Sequence, residues 1–457
     1  MKTKRLLLSL LAMATAVSSF ALNAGEYAYT RAGRYKVLAA NLVTNGDFSS
    51  GTNGWKNANG ATLPADTFSV ETATDGSHYL RVVAGGTGAS IVKSDLMLEA
   101  GQTYLITYKV KGTADATAYA LSGSNCQNFF VNADGSNSTT ATGYAAVAVP
   151  EYYKNDWNTI TYAYTPTEAG FLVMNFGNLL TDDCFSDFGV YQVSQVADNR
   201  VLQREIADAT VLYNLTELAN GKADLKSTLD EMATFSTESA SEQSDYISGL
   251  HDELKRYLDA NGADASSYFS NFNFDNITPK AASSVSGWTT GTRWGSAAAN
   301  SDFTTVHGLQ SIGVSYELGA GALHQTQYLP AGKYLYSVSA NAWDYPSSKL
   351  SVVDYNKQIT GIDMYINADS TEMTDLPTYG CKTYVKIVEV KDGETVDLGV
   401  CNTGKATSNQ VQFDNNYIYY LGGTTEQIDA FVNAKKLADA QNALQVMTDS
   451  AKTVVAT

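Results

Sequence analysis

The sequence predicts a mainly β protein with some helix: two antiparallel β units joined by a helical segment, with a further helix near the C-terminal end. Three observations support this. At 457 residues the chain is longer than one hydrophobic core usually serves. Short runs of period-two alternation, such as TYLITYKV, NTITYAYT and KTYVKIVEV, are separated by Gly, Asn and Asp turns, the pattern of an antiparallel sandwich or barrel. The same order of signals also occurs twice at similar intervals, which marks an internal repeat.

From the N-terminus, Lys2, Lys4 and Arg5 precede the apolar run LLLSLLAMATAV, and the small residues Ser18, Ser19, Ala21 and Ala24 follow. This reads as a secretion signal over residues 1–24, too short for a permanent membrane span. No Cys stands at the cleavage site to take a lipid anchor, and no later apolar run is long enough to span a bilayer. A secreted, periplasmic or cell-surface location is expected. Residues 25–40 read as an N-terminal tail.

The first β unit is placed at residues 41–196. It opens on the turn-rich NLVTNGDFSSGTNGW, continues through LMLEAGQTYLITYKVKG from Leu96, and closes on FSDFGVYQV from Phe185. The second, at 263–423, repeats these landmarks as SNFNF from Ser270, QYLPAGKYLYSVSANAW from Gln327 and QFDNNYIYY from Gln412. Asn45 thus corresponds to Asn271, Phe48 to Phe274, Gly101 to Gly332 and Asp187 to Asp414. Between the units the period changes. Leu202, Ile206, Ala209 and Tyr213 recur at helical spacing, and KADLKSTLDEMATF and DYISGLHDELKRYLDANG continue the pattern, so 197–262 reads as a helical linker. After the second unit, Thr425 is expected to cap a helix over 424–457, with Leu437, Ala440, Leu444, Met447 and Ala451 on one stripe. Docking of that stripe on its own sandwich is expected; the alternative is burial on a partner chain.

The formal charge of −17 disfavours polyanions, so nucleic acid is not an expected partner. Cys126, Cys184, Cys381 and Cys401 form no CxxC or Cys/His cluster, which argues against zinc. One disulfide per half remains open. Cys381 and Cys401 flank VEVKDGETVDLGV, whose Asp-Gly centre reads as a hairpin turn that would set them on neighbouring strands. The pair Cys126 and Cys184 has a weaker case. His78, His251, His307 and His324 have no nucleophile motif nearby, and no Walker loop, dinucleotide fingerprint or HExxH occurs. A glycosidase would need two carboxylates held across a cleft, which sequence cannot place.

These residues carry a resemblance. NLVTNGDFSSGTNGW, the AGQTY strand, Trp157 in DWNTITYAYTP and the closing FSDFGVYQV resemble, in family order, the carbohydrate-binding modules of families 4 and 9 over about residues 41–195. LPAGKY and FDNNYIYYLG in the second unit look like a more divergent module of the same type. The resemblance implies two jelly-roll sandwiches of the galactose-binding type, separated by the helical spacer and followed by the C-terminal helix. It also implies that first and last strands lie side by side, so that Asp47 and Asp187 could hold a structural calcium. Ser49 stands where the family pattern has Glu, which removes one carboxylate from that site. Asp275 and Asp414 are the corresponding positions of the second copy.

Sugar binding in such folds relies on aromatic faces, with neutral donors and Arg for the hydroxyls. Trp55, Trp288 and Trp157 stand where core rings are expected. Arg293, Trp294, Trp343 and Tyr345 are the candidate platform of the second unit. In the first, Phe129, Phe130, Tyr152 and Tyr153 are candidates, but alternation sends adjacent rings to opposite faces, so half of them, such as Phe129 and Tyr152, can line a cleft. The implied role is an exported, non-catalytic binder of poly- or oligosaccharide, accessory to glycoside hydrolases. An exported structural or adhesive protein whose helix meets partner chains is the alternative, and a glycoside hydrolase or lyase the third.

Overall fold

The computed structural model describes residues 22–30, 33–119, 124–133, 137–141, 154–273, 287–290, 296–297, 312–313, 321–343, 361–376, 382–391, 393–403 and 410–455. They fall into two compact units, the first ending at Val196 and the second beginning at Ala197. The secretion signal lies outside the described residues. Among the described residues, no helix is long and apolar enough to cross a membrane.

In chain order the first unit contains β1 (Tyr27–Thr30), β2 (Gly33–Val37), β3 (Phe68–Thr72), β4 (His78–Val82), β5 (Ile91–Leu98), β6 (Tyr104–Lys111), the one-turn helix α1 (Ala116–Tyr119), β7 (Phe129–Asn132), β8 (Asn137–Ala141), β9 (Trp157–Tyr164), β10 (Gly170–Phe176) and β11 (Cys184–Val196). One sheet runs β1-β2-β11-β4-β3, with β6 paired to both β11 and β9, and the other runs β5-β10-β7-β8. Alternation on β6 sends Tyr104, Ile106, Tyr108 and Val110 into the core, where they meet Ile91, Leu96, Leu98, Leu172, Met174 and Phe176 of the opposite sheet. Residues 25–40, expected as a tail, instead form β1 and β2. Val37 pairs with Val193, and Tyr35 and Val37 pack with Leu105, Tyr191 and Val193 on the other face of the sheet.

The second unit begins with α2 (Asn199–Asn214), α3 (Lys222–Met232) and α4 (Ala240–Asp259). Its strands are β12 (Gly262–Asp264), β13 (Thr289–Thr290), β14 (Ser296–Ala297), β15 (Ile312–Gly313), β16 (Gly321–Tyr328), β17 (Gly332–Trp343), β18 (Ile362–Ile366), β19 (Asp369–Glu372), β20 (Lys382–Val390), β21 (Thr395–Asn402) and β22 (Gln410–Leu421), and it closes with α5 (Thr425–Val455). One sheet runs β14-β15-β22-β17-β20, with β12 paired to β22; the other runs β13-β16-β21-β18-β19. Strand β17 repeats the role of β6. Tyr334, Tyr336, Val338 and Ala340 face the sandwich core, and Leu335 faces the opposite way. There it meets Leu202, Ala209, Leu212, Leu250 and Tyr257, so the helices expected as a linker form one body with the second sandwich.

Two irregularities recur in both copies. Asn45 and Asn271 adopt left-handed φ of 56° and 48°, and their carbonyls accept the indole N–H of Trp55 and Trp288 at 3.0 and 2.9 Å. Asn tolerates that conformation because its short amide can bond locally. On the last strands, the two residues between Ser186 and Gly189 face one on β6, and the two between Asp414 and Tyr417 face one on β17. Within these bulges Asp187 and Asn415 have φ of 53° and 50°. The counterpart of Asp187 is therefore Asn415, one residue beyond the Asp414 read from sequence.

Other expectations change as well. Strand β20 pairs with β17, whereas β21 lies between β16 and β18, so the two strands belong to different sheets and do not form the expected hairpin. Cys126, Cys184 and Cys401 are free thiols, and Cys381 lies outside the described residues. Helix α5 is capped by Thr424 and not by Thr425: the Thr424 hydroxyl accepts from the Gln427 amide, and the Gln427 side chain accepts the Thr424 N–H at 2.9 Å.

Asp208 of α2 joins the helices to the sandwich, accepting the Thr383 amide at 3.1 Å and the Thr383 hydroxyl at 2.8 Å. Burial outweighs these bonds and pushes its carboxyl up to about 6. A folded-state pKa above the unfolded value means that the native unit binds the proton more tightly. Stability is therefore gained as pH falls from about 6 towards the usual carboxylate range, by at most about 3 kcal/mol. Asp208→Asn should stabilise the unit at pH 8 and by only about a third as much at pH 4.5, measured by calorimetry. Equal changes at both pH values would contradict this assignment.

Candidate functional site

The first unit presents an aromatic surface on its four-stranded sheet. Because Leu172, Met174 and Phe176 of β10 point into the core, alternation turns Phe171, Val173 and Asn175 to the opposite face. On β7, Phe130 is buried and Phe129 and Val131 turn outward. Register then assembles the surface. Phe171 stands opposite Val131 on one side and Met97 of β5 on the other, and Val173 stands opposite Phe129. Phe171 is 38% exposed and Met97 48%, whereas Phe129 is half-buried. Diagonal neighbours on adjacent strands lie about 7–8 Å apart, so Phe129 and Phe171 offer two rings in one apolar strip. The Asn175 Oδ1 is enclosed beside this strip with no hydrogen-bond partner among the described residues.

Of the rings expected in the core, Trp55 and Trp288 are buried. Trp157 is not. It is 38% exposed on the opposite sheet, with its ring centroid 5.6 Å from that of Tyr79 in an edge contact. Phe129 is thus the one sequence candidate whose side chain lies on the strip, and Phe171 and Met97 were missed. Their only sequence signal is alternation in GFLVMNF and IVKSDLML, which does not say which face is covered. Trp343 ends β17, but its side chain lies outside the described residues, as do Arg293, Trp294, Tyr345, Tyr152 and Tyr153. A separate surface concavity of 270 Å³, lined by Asn57, Pro64, Thr67, Gly85, Gly86 and Gly88 among others, offers no exposed ring, since Phe68 in its wall is buried.

The groups available for chemistry are weakly activated. Burial holds the Cys126 thiol at about 12 and the Cys184 thiol at about 11, so neither is a thiolate near neutral pH. His324 Nδ1 lies 2.6 Å from the Asp397 carboxylate and His251 Nε2 lies 2.9 Å from Glu205, so each imidazole is paired with an acid. Among the described residues, no Ser or Cys side chain is hydrogen-bonded to either ring.

Residues 41–55 form turns and no strand, and it is this opening turn that meets the last strand. The Phe188 N–H donates to the Gly46 carbonyl at 3.0 Å, and a Cβ on Gly46 would stand 2.1 Å from the Phe188 carbonyl oxygen. The neighbouring carboxylates are engaged elsewhere. Asp187 is ion-paired with Lys109 at 2.8 Å, and Asp47 accepts the Ser49 amide and hydroxyl at 3.2 and 2.9 Å. No group of three or more His, Cys, Asp or Glu side chains that could hold a metal occurs among the described residues. Calcium takes six to eight oxygens, and this donor set, with an ammonium already on Asp187, does not fit it. Millimolar calcium or a chelator should therefore leave the melting temperature of the first unit unchanged. A rise of several degrees with calcium would show that the ion displaces Lys109.

Comparison with solved structures gives low-identity likenesses. An arabinose-bound α-L-arabinofuranosidase is 13% identical over 35% of this chain, with a TM-score of 0.24, and the match spans only 27% of that protein. The tandem CBM22 domain of Xyn10C from Paenibacillus barcinonensis is 12% identical, covering 88% of this chain and 99% of that one, with a TM-score of 0.24. TmCBM61 in complex with β-1,4-galactotriose is 12% identical, covering 34% and 97%, also at 0.24. At TM-scores this low, none of them defines a binding residue here. No curated protein matches the chain. Over residues 40–174, the part that carries the opening turn and most of the aromatic sheet face, the chain matches the carbohydrate binding domain family.

Proposed function

We propose that the protein is an exported, non-catalytic binder of neutral poly- or oligosaccharide, accessory to glycoside hydrolases, and that the outer face of β5-β10-β7 is its sugar platform. The observation that carries this reading is the pair Phe129 and Phe171, held by register on one face of the segment that matches the carbohydrate binding domain family. The C–H face of a pyranose packs on such rings without needing a charge, which suits an acidic chain with a neutral ligand. The basic, apolar and small residues at the N-terminus support export. In the second unit, Arg293, Trp294, Trp343 and Tyr345 are the proposed contacts. Two weak sites on one chain would reinforce each other on a polymer, since the second contact becomes intramolecular.

Calorimetric titration against a panel of soluble neutral polysaccharides tests the reading. Phe171→Ala and Phe129→Ala should each weaken binding about tenfold, about 1.4 kcal/mol, with the fold intact because neither ring is in the core. Trp343→Ala reports separately on the second unit. Failure of every polysaccharide to bind, or equal binding by wild type and both Phe variants, would sink the proposed platform.

A further inference from the structure

Helix α5 is docked only at its beginning. Ile428 and Val432 enter the core of the second unit, Phe431 lies against Gly393, and Asp429 accepts the Tyr268 hydroxyl at 2.6 Å. Tyr328 makes the last of these ties, to Asp439 at 2.7 Å. From Ala438 onward the described side chains are exposed, and Leu437, Leu444 and Met447 stand 60%, 65% and 69% open. Large apolar side chains so placed along one helix are costly to leave in water.

Their spacing is specific. Leu437, Ala440, Leu444, Met447, Ala451 and Val454 alternate steps of three and four, a seam that meets another helix knobs-into-holes. Of the positions flanking the seam, Gln441, Ala443, Thr448 and Ser450 are uncharged and Lys436, beside Leu437 at its start, is a cation, while Asp439, Asp449 and Lys452 lie off it. In a chain of net charge −17, a face free of acidic side chains is the part on which two identical copies can touch without carboxylates meeting. The exposed seam amounts to roughly 500 Å² per copy, so a pair would bury on the order of 1,000 Å², the low end of specific interfaces.

We propose that this seam pairs with the same seam of a second copy, as a weak, antiparallel two-helix contact. In the antiparallel register Leu437 meets Val454, Ala440 meets Ala451 and Leu444 meets Met447, which matches small with small and large with large. It also sets the two second units at opposite ends of a contact about 27 Å long, several times the screening length of about 8 Å in physiological salt. A parallel pair would set the two acidic bodies side by side. The contact is independent of the carbohydrate reading, since neither Phe129 nor Phe171 takes part.

Sedimentation velocity of the full chain, from low to high micromolar concentration and without sugar, tests this. Wild type should move from monomer to dimer across that range, and Leu444→Glu combined with Met447→Glu should remain monomeric with unchanged helix content by circular dichroism. For orientation, a mixture of Leu437→Cys and Val454→Cys chains should cross-link on oxidation more than either chain alone. A wild type that stays monomeric throughout, or a double variant that dimerises equally well, overturns the pairing. Preferential cross-linking of either single variant with itself overturns the antiparallel arrangement.

Discussion

The hydrogen bond from Phe188 to the carbonyl of Gly46 closes the first sandwich, and the aromatic cluster around it depends on that closure. Only glycine lets the backbones approach so nearly. Phe48, Trp55 and Phe188 then pack on one another in tilted and edge contacts with centroids 4.6 to 6.1 Å apart, and Tyr108 stacks on Phe188 from the central strand. Phe188 can point inward because the bulge around Asp187 resets the alternation of β11. Lys93 anchors the same turn from the opposite sheet, its buried ammonium reaching the Thr44 hydroxyl and the Gly54 carbonyl at 3.3 Å. A strand of each sheet meets the opening turn at this point.

The second sandwich uses the same device with different residues. Its tryptophan and left-handed asparagine are retained, but the bulge on β22 turns Asn416 inward, where it accepts the Tyr336 hydroxyl at 3.1 Å. The polar contact replaces a ring, and the neighbouring core is built from Phe269, Phe272 and Trp288, with Phe272 stacked 4.7 Å and 5.7 Å from the other two. The outer sheet face also differs. Leu335 and Tyr419 lie beneath the three helices, so that face is buried and unavailable to a ligand. The candidate platform rests on the other type of sheet, the four-stranded one of the first unit, which leaves Phe171 and Met97 open.

Much of the fold was legible because it rests on local chemistry repeated twice. Glycine turns followed by alternating Tyr, Leu and Val marked β6 and β17, and the 3.6 period marked α2 and α4, since both signals depend on residues adjacent in sequence. The N-terminal strands were missed because YAYT and GRYKV are short and gain their stability by pairing with β11 far along the chain. The supposed hairpin near Cys401 failed for the related reason that an Asp-Gly turn signals a change of direction without saying which sheet receives the next strand. Of the two rings on the strip, Phe129 was a candidate from sequence, although alternation alone does not say whether it or Phe130 faces outward. Phe171 was hidden because exposure is a property of what packs above a strand.

By itself the sequence determined the repeated unit, the helices between the sandwiches, and the core places of Trp55 and Trp288 though not of Trp157, because periodicity and turn chemistry are carried by near neighbours. Tertiary structure alone decided which face of each sheet is covered. It also decided that Asp187 meets a lysine, that the linker helices join the second sandwich, and that the seam of α5 is open. Each of these is a pairing between residues far apart in the chain, and no local pattern encodes the partner.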